Sequence, residues 1–254
     1  MKIGRAMWAV VASGFVVHSA GLAGDLWVGA RGGVNFPKLR GGDDDLTRGY
    51  ETFAAPNLGV AAEYSFHPNW SVVLEAVYNI QGGERDELQP ITVSAPGLPD
   101  LPPGQFFWAD FKNKSELEYL EFPLVLRARW LLGSGWAVYA EAGGYLGFLL
   151  SAEQKTRGTS PIYLDKNRTP LMIGGRPLPP ISLNADTDVK DNLNDVNWGV
   201  TGGVGVEYRW AERHAVYLDV RGQYGVREVQ EDTEHNGEAN TGFLAVLLGY
   251  QIRL

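Results

Sequence analysis

The stretch WGVTGGVGVEYRW, residues 198–210, decides the fold. Its even positions hold Trp198, Val200, Gly202, Val204, Val206, Tyr208 and Trp210, and its odd positions hold Gly199, Thr201, Gly203, Gly205, Glu207 and Arg209. A period of two sorts these sets onto opposite faces of an extended strand, whereas a helix would scatter both around its surface. One face is apolar with an aromatic at each end, and the other is small or charged.

The same sorting recurs outward along the chain. Residues 244–254 place Leu244, Val246, Leu248, Tyr250, Ile252 and Leu254 against Ala245, Leu247, Gly249, Gln251 and Arg253. Segments 26–36, 56–66, 70–80, 120–130, 136–150 and 214–227 follow the same rule. Each reaches the length of about 9–11 residues that a tilted strand needs to cross a bilayer. The connections alternate as well. His67-Pro68-Asn69, Gly133-Ser134-Gly135 and Ala211-Glu212-Arg213 are tight, whereas 37–54, 83–115 and 152–193 are long, and 231–238 is intermediate. Short turns on one rim and long loops on the other predict an all-β, closed antiparallel transmembrane barrel of about eight strands, with short periplasmic turns and long extracellular loops. The long loops, rich in Pro, Gly and charge, are expected to be mobile and partly irregular.

Strands in lipid must pair every backbone group, so the sheet must close, with its apolar side outward. Parity then sends Arg31, Glu63, Glu75, Glu121, Arg127, Arg129, Glu141, Glu207, Arg209, Asp219, Arg221 and Arg253 inward. Charges of both signs in one narrow interior are expected to pair, because an unpaired buried charge is costly. An eight-strand ring has room inside for side chains only, so these residues form a structural plug. A wide diffusion pore, which needs about 16–18 strands, is disfavoured. Phe66, Trp70, Trp130, Trp136 and Trp210 flank the short turns as one aromatic girdle, and Phe36, Tyr78, Phe148, Trp198 and Tyr224 form the other. A soluble sandwich would bury its apolar face instead, and its interior would not hold a dozen charges in register.

Composition agrees. The chain has 254 residues, 32 Gly, 8 Trp and 11 Tyr, and its formal charge is -8. That acidity argues against a nucleic-acid partner. Without cysteine there is neither a disulfide nor a lipid anchor on sulfur. Mean hydropathy is only -0.16, as expected when alternate residues alone are apolar. Lys2 and Arg5, the apolar run 6–17 and the small residues around Ala20 and Ala23 compose a signal peptide. Residues 1–23 are expected to be removed, leaving 24–254 as the barrel domain.

Three wall segments resemble a porin-like outer-membrane β-barrel family, the PorT-like barrels. They are GARGGVNF at 29–36, LEYLEFPLVL at 117–126 and NWGVTGGVGVEY at 197–208. The resemblance implies an eight-stranded outer-membrane protein and a place in protein export across that membrane. It brings no catalytic residues. Pro123, lacking a ladder N–H mid-strand, is expected to cause a local bulge.

Little else carries chemistry. His67 and His214 belong to turns, and only Asp232 and His235 bring a His beside a carboxylate in a long loop. Their spacing fits no metal motif, and neither Asp43-Asp44-Asp45 nor Asp186, Asp188, Asp191 and Asp195 matches a calcium loop. No catalytic residue, metal site or cofactor is assigned. The candidate contact surface is Phe106, Phe107, Trp108 and Phe111, aromatics within a long loop that point to a partner. The competing and favoured reading has them fold down as a lid or extend a strand, because exposed apolar patches of that size are uncommon. The apolar run 170–183 invites both readings. The expected partners are outer-membrane lipid and an extracellular or secretion-machinery protein. The function expected is non-enzymatic contact through the outer loops, with an export role or a narrow channel as alternatives.

Overall fold

The computed structural model describes residues 24–41, 45–91, 98–99, 101–102, 105–233 and 237–254. The expected signal peptide, Asp43, Asp44 and His235 lie outside these residues.

Eight long strands build the wall: β1 (Asp25–Gly41), β2 (Ala55–His67), β3 (Trp70–Pro90), β4 (Trp108–Gly133), β5 (Trp136–Arg157), β6 (Val196–Trp210), β7 (His214–Glu228) and β8 (Ala239–Arg253). Each pairs antiparallel with its sequence neighbours, and β8 pairs with β1. The ring therefore closes with no free edge.

Side-chain exposure follows the predicted parity. Trp70, Trp130 and Trp210 are 42%, 54% and 39% exposed, so they lie on the outer surface and not in a soluble core. Leu58, Leu74, Leu124, Val204, Leu218 and Leu248 continue the apolar exterior between the two aromatic edges. At the short-turn rim the rings of Trp136, Tyr208, Trp210, His214 and Tyr250 form one row, with successive centroids 4.8–6.1 Å apart, and His214 Nδ1 lies 2.7 Å from the Tyr250 hydroxyl. Such amphipathic rings suit the boundary between acyl chains and water.

One expectation about the wall is corrected. Pro123 makes no bulge: it pairs with Tyr145 in unbroken register, and the β3–β4 ladder resumes beyond it without a shift. Pro123 costs local hydrogen bonds but adds no residue. The bulge in this region lies higher, where Glu118–Tyr119 of β4 faces Leu149–Ser151 of β5 and Leu150 is left over.

The long loops are regular in part. β3, β4 and β5 run 21, 26 and 22 residues, against 13 in β2. Their upper parts continue the sheet out of the membrane on one side of the ring. Residues 185–188 add to the edge of β5, and two short ladders, Thr159–Ser160 with Ile181–Ser182 and Met172–Ile173 with Arg176–Pro177, complete an outer β-extension.

Candidate functional site

The lumen is filled in three layers. The lowest, toward the short turns, is an arginine–carboxylate plug. Arg127 donates from Nη1 to Glu63 (2.7 Å) and from Nε to Glu141 (2.8 Å). Arg129 reaches Glu63 at 2.5 Å and Glu207 at 3.2 Å. Arg221 bridges Glu75 at 2.6 Å, Asp219 at 2.8 Å and Glu141, and Arg31 meets Glu75 at 2.9 Å. Arg209, at the lower rim, pairs with Glu207 at 2.5 Å and lies over the Trp27 ring. Five arginines thus interlock with five carboxylates, and all but Arg209 are fully enclosed. Arg253, which parity also sent inward, pairs with Asp25 at the rim (3.3 Å) and stands outside the plug.

Two glycines make the plug possible. Gly205 faces Tyr139 across the β5–β6 ladder, and Gly249 faces Tyr217 across β7–β8. A Cβ at either position would fall within the facing ring. Both tyrosines therefore lie down into the lumen, and the Arg127 guanidinium sits 4.2 Å from the Tyr139 ring centre.

The middle layer is amide-rich. Glu121, expected among the paired charges, is not in the plug. It accepts from Asn79 Nδ2 at 2.6 Å, Gln223 Nε2 at 2.9 Å and Gln81 Nε2. The top layer is apolar: Leu39, Tyr50, Leu117, Tyr119, Leu149, Ala152 and Val229 pack together and close the mouth. Among the described residues, the plug fills the lower lumen and the apolar layer its upper end.

Above the seal stands the outer extension, with a core of its own. Ile91, Phe107, Ala109, Phe111, Ile162, Leu171 and Leu183 pack there, flanked by Leu178 and Ile181. The expected contact surface is therefore corrected: Phe107 and Phe111 are 6% and 4% exposed and cannot meet a partner. Trp108 begins β4, exchanges backbone hydrogen bonds with Tyr163 (2.8 Å each way) and lies beneath Lys166, while Phe106 is half-buried. Trp108 and Phe111 lie in β4, and Phe107, Ala109 and Phe111 alternate into the apolar layer beneath.

Charges clip the extension together. Arg168 pairs with Asp110, Arg157 with Asp186 and Lys112 with Glu84. Burial alone would raise the Glu116 carboxyl, but hydrogen bonds from Lys114 and Lys155 outweigh it and hold the group below its ordinary value. The Asp165 side chain accepts from Thr169 Oγ1 and from the Asn167 and Thr169 amides, and these bonds hold its pKa low as well.

The run 170–183 splits between the two readings. Leu171 and Leu183 anchor the core, but Met172 and Ile173 are 52% and 50% exposed at the tip of a hairpin. Gly174 and Gly175 turn it with φ of 60° and 79°, as a two-residue turn of that hand requires. The signal was present in the sequence, since a Gly-Gly pair between two short segments marks a hairpin turn. Among the described residues no group of three or more His, Cys, Asp or Glu is placed to hold a metal.

A closed eight-stranded ring with a lipid-matched exterior, aromatic edges and an ion-paired interior is the architecture of an integral outer-membrane β-barrel. The chain belongs to the outer membrane protein beta-barrel domain family, which matches residues 19–231, and its place is the cell outer membrane. It is similar in fold to neisserial surface protein A, at 13% identity over 90% of this chain and 97% of that one, with a TM-score of 0.40. OprG from Pseudomonas aeruginosa gives 12% identity over 91% and 96%, with a TM-score of 0.40. The outer membrane protease OmpT from Escherichia coli gives 11% over 91% and 97%, with a TM-score of 0.34. No curated protein sequence matches the chain.

Proposed function

We propose that this protein is a non-enzymatic, non-conducting outer-membrane barrel that works by contact, presenting its outer β-extension to a protein outside the cell. The observation that carries this reading is the hairpin tip. Met172 and Ile173 are half-exposed although the apolar residues around them are buried in a dedicated core. Large apolar side chains held in water on a rigid turn, away from the lipid belt, are the usual mark of a recognition surface. Two features favour the absence of flux and chemistry. Five lumen carboxylates are locked by arginine, and an apolar layer stands between them and the outer mouth.

A component of protein export is the second reading, favoured by the likeness of 117–126 to the PorT-like wall strand. It requires a partner on the periplasmic side. A photo-crosslinking residue placed at position 173 and, separately, in the short turn at 134 separates the two in intact cells. Contact outside the cell predicts adducts from 173, abolished by Met172→Asp with Ile173→Asp. Adducts from 134 alone would favour export, and none from 173 would defeat the first reading. A narrow channel would show as liposome swelling, and none is expected.

A further inference from the structure

The arginine plug is balanced without Glu121. Its five arginines face five carboxylates, and Glu121 is a sixth carboxylate, 1% exposed, that no guanidinium or ammonium group among the described residues hydrogen-bonds; Arg31, already paired with Glu75, acts on it only at longer range. Three amide N–H donors orient it but bring no positive charge. A buried carboxylate with no hydrogen-bonded counter-charge is heavily disfavoured, so it must either hold a proton or gain a cation.

Its amide neighbours carry unpartnered oxygens. Asn79 and Gln81 each spend their NH2 on Glu121, which leaves Asn79 Oδ1 and Gln81 Oε1 buried with nothing to accept. Asn57 lies directly opposite Asn79 in the β2–β3 ladder, is 0% exposed, and has neither amide atom paired. Buried side-chain amides are almost always satisfied, so three free carbonyl oxygens beside one free negative charge demand a common explanation. Carboxylate and amide oxygens are the ligands of hard cations. One surplus charge selects a monovalent ion, since a divalent one would leave a positive charge in the same enclosure.

We propose that Glu121, with the amide oxygens of Asn57, Asn79 and Gln81, holds one dehydrated alkali cation, sodium or potassium, inside the barrel. The arginine plug lies below this layer and the apolar seal above it. The ion is therefore a trapped structural element and not a permeating one. This goes beyond the contact function and stands independently of it.

The test uses the mature chain folded into lipid vesicles at constant ionic strength, with sodium, potassium or choline as the only cation. The denaturant midpoint is expected to rise saturably with sodium or potassium and to stay flat in choline. Glu121→Gln removes the charge at nearly constant volume, at the cost of one acceptor oxygen, and is expected to abolish that dependence, and Asn57→Leu to shift it to higher salt. If Glu121→Gln does not fold, wild-type protein exchanged into rubidium chloride and desalted is expected to retain about one rubidium per chain by elemental analysis. A wild type indifferent to the cation, as a protonated Glu121 would make it, overturns the proposal. So does a response to calcium at equal charge without a response to sodium or potassium, and so does a rubidium-free protein.

Discussion

Arg127 joins Glu63, 64 residues away, to Glu141, 14 residues away, and lies against the Tyr139 ring with no access to solvent. Taking away one partner of such a pair leaves a bare charge in a low-dielectric interior, which costs about 3–5 kcal/mol. Arg127→Met, which keeps the apolar stem but no donors, is expected to lower unfolding stability in vesicles by about that amount. A shift no larger than that of an exposed control such as Arg157→Met would show that the plug contributes nothing. The membership of the plug was legible beforehand except for Glu121 and Arg253, because a strict period of two assigns each charge a face but not a height. The pairings were not. They link positions as far apart as Glu75 and Arg221, and strand register, invisible to local pattern, decides them. For the same reason Glu121 was placed among the pairs: its parity is right, but it sits one layer too high.

β4 shows why the upper half of the molecule was read as loop. Its parity never changes, yet the chemistry of its two faces inverts near Glu118. Below, Leu120, Phe122 and Leu124 point out while Glu121, Arg127 and Arg129 point in; above, Lys112 and Glu116 point out while Phe111 and Leu117 point in. A strand in lipid is apolar outside and a strand in water is apolar inside, so a rule tuned to the membrane loses the strand at the boundary. The β5 bulge at Leu150 lies at this same level. The two cores are separate, and removing one large side chain from the upper one should be felt there alone. Phe111→Ala is expected to weaken the extension by about 3–5 kcal/mol. Limited proteolysis should then cut within 84–114 and 158–183 while the barrel stays protected. Cleavage unchanged from wild type would mean that Phe111 supports no core, and loss of the whole barrel would mean that the two layers fold as one.

At the scale of the whole molecule, one sorting of side chains explains the closed ring, the two aromatic edges and the filled interior. It also leaves the apical hairpin, with Leu164 of the same extension, where apolar groups meet water without lipid. The tryptophans test that sorting directly, because the ring places them on both sides of the wall. Trp27 lies in the lumen at 2% exposure, while Trp70 and Trp210 face outward at the short-turn rim. Single-tryptophan variants folded into vesicles containing lipids brominated near the headgroup should show strong quenching of Trp70 and Trp210 and little of Trp27. Quenching of Trp27 with protection of Trp70 and Trp210 would contradict a lipid-facing exterior.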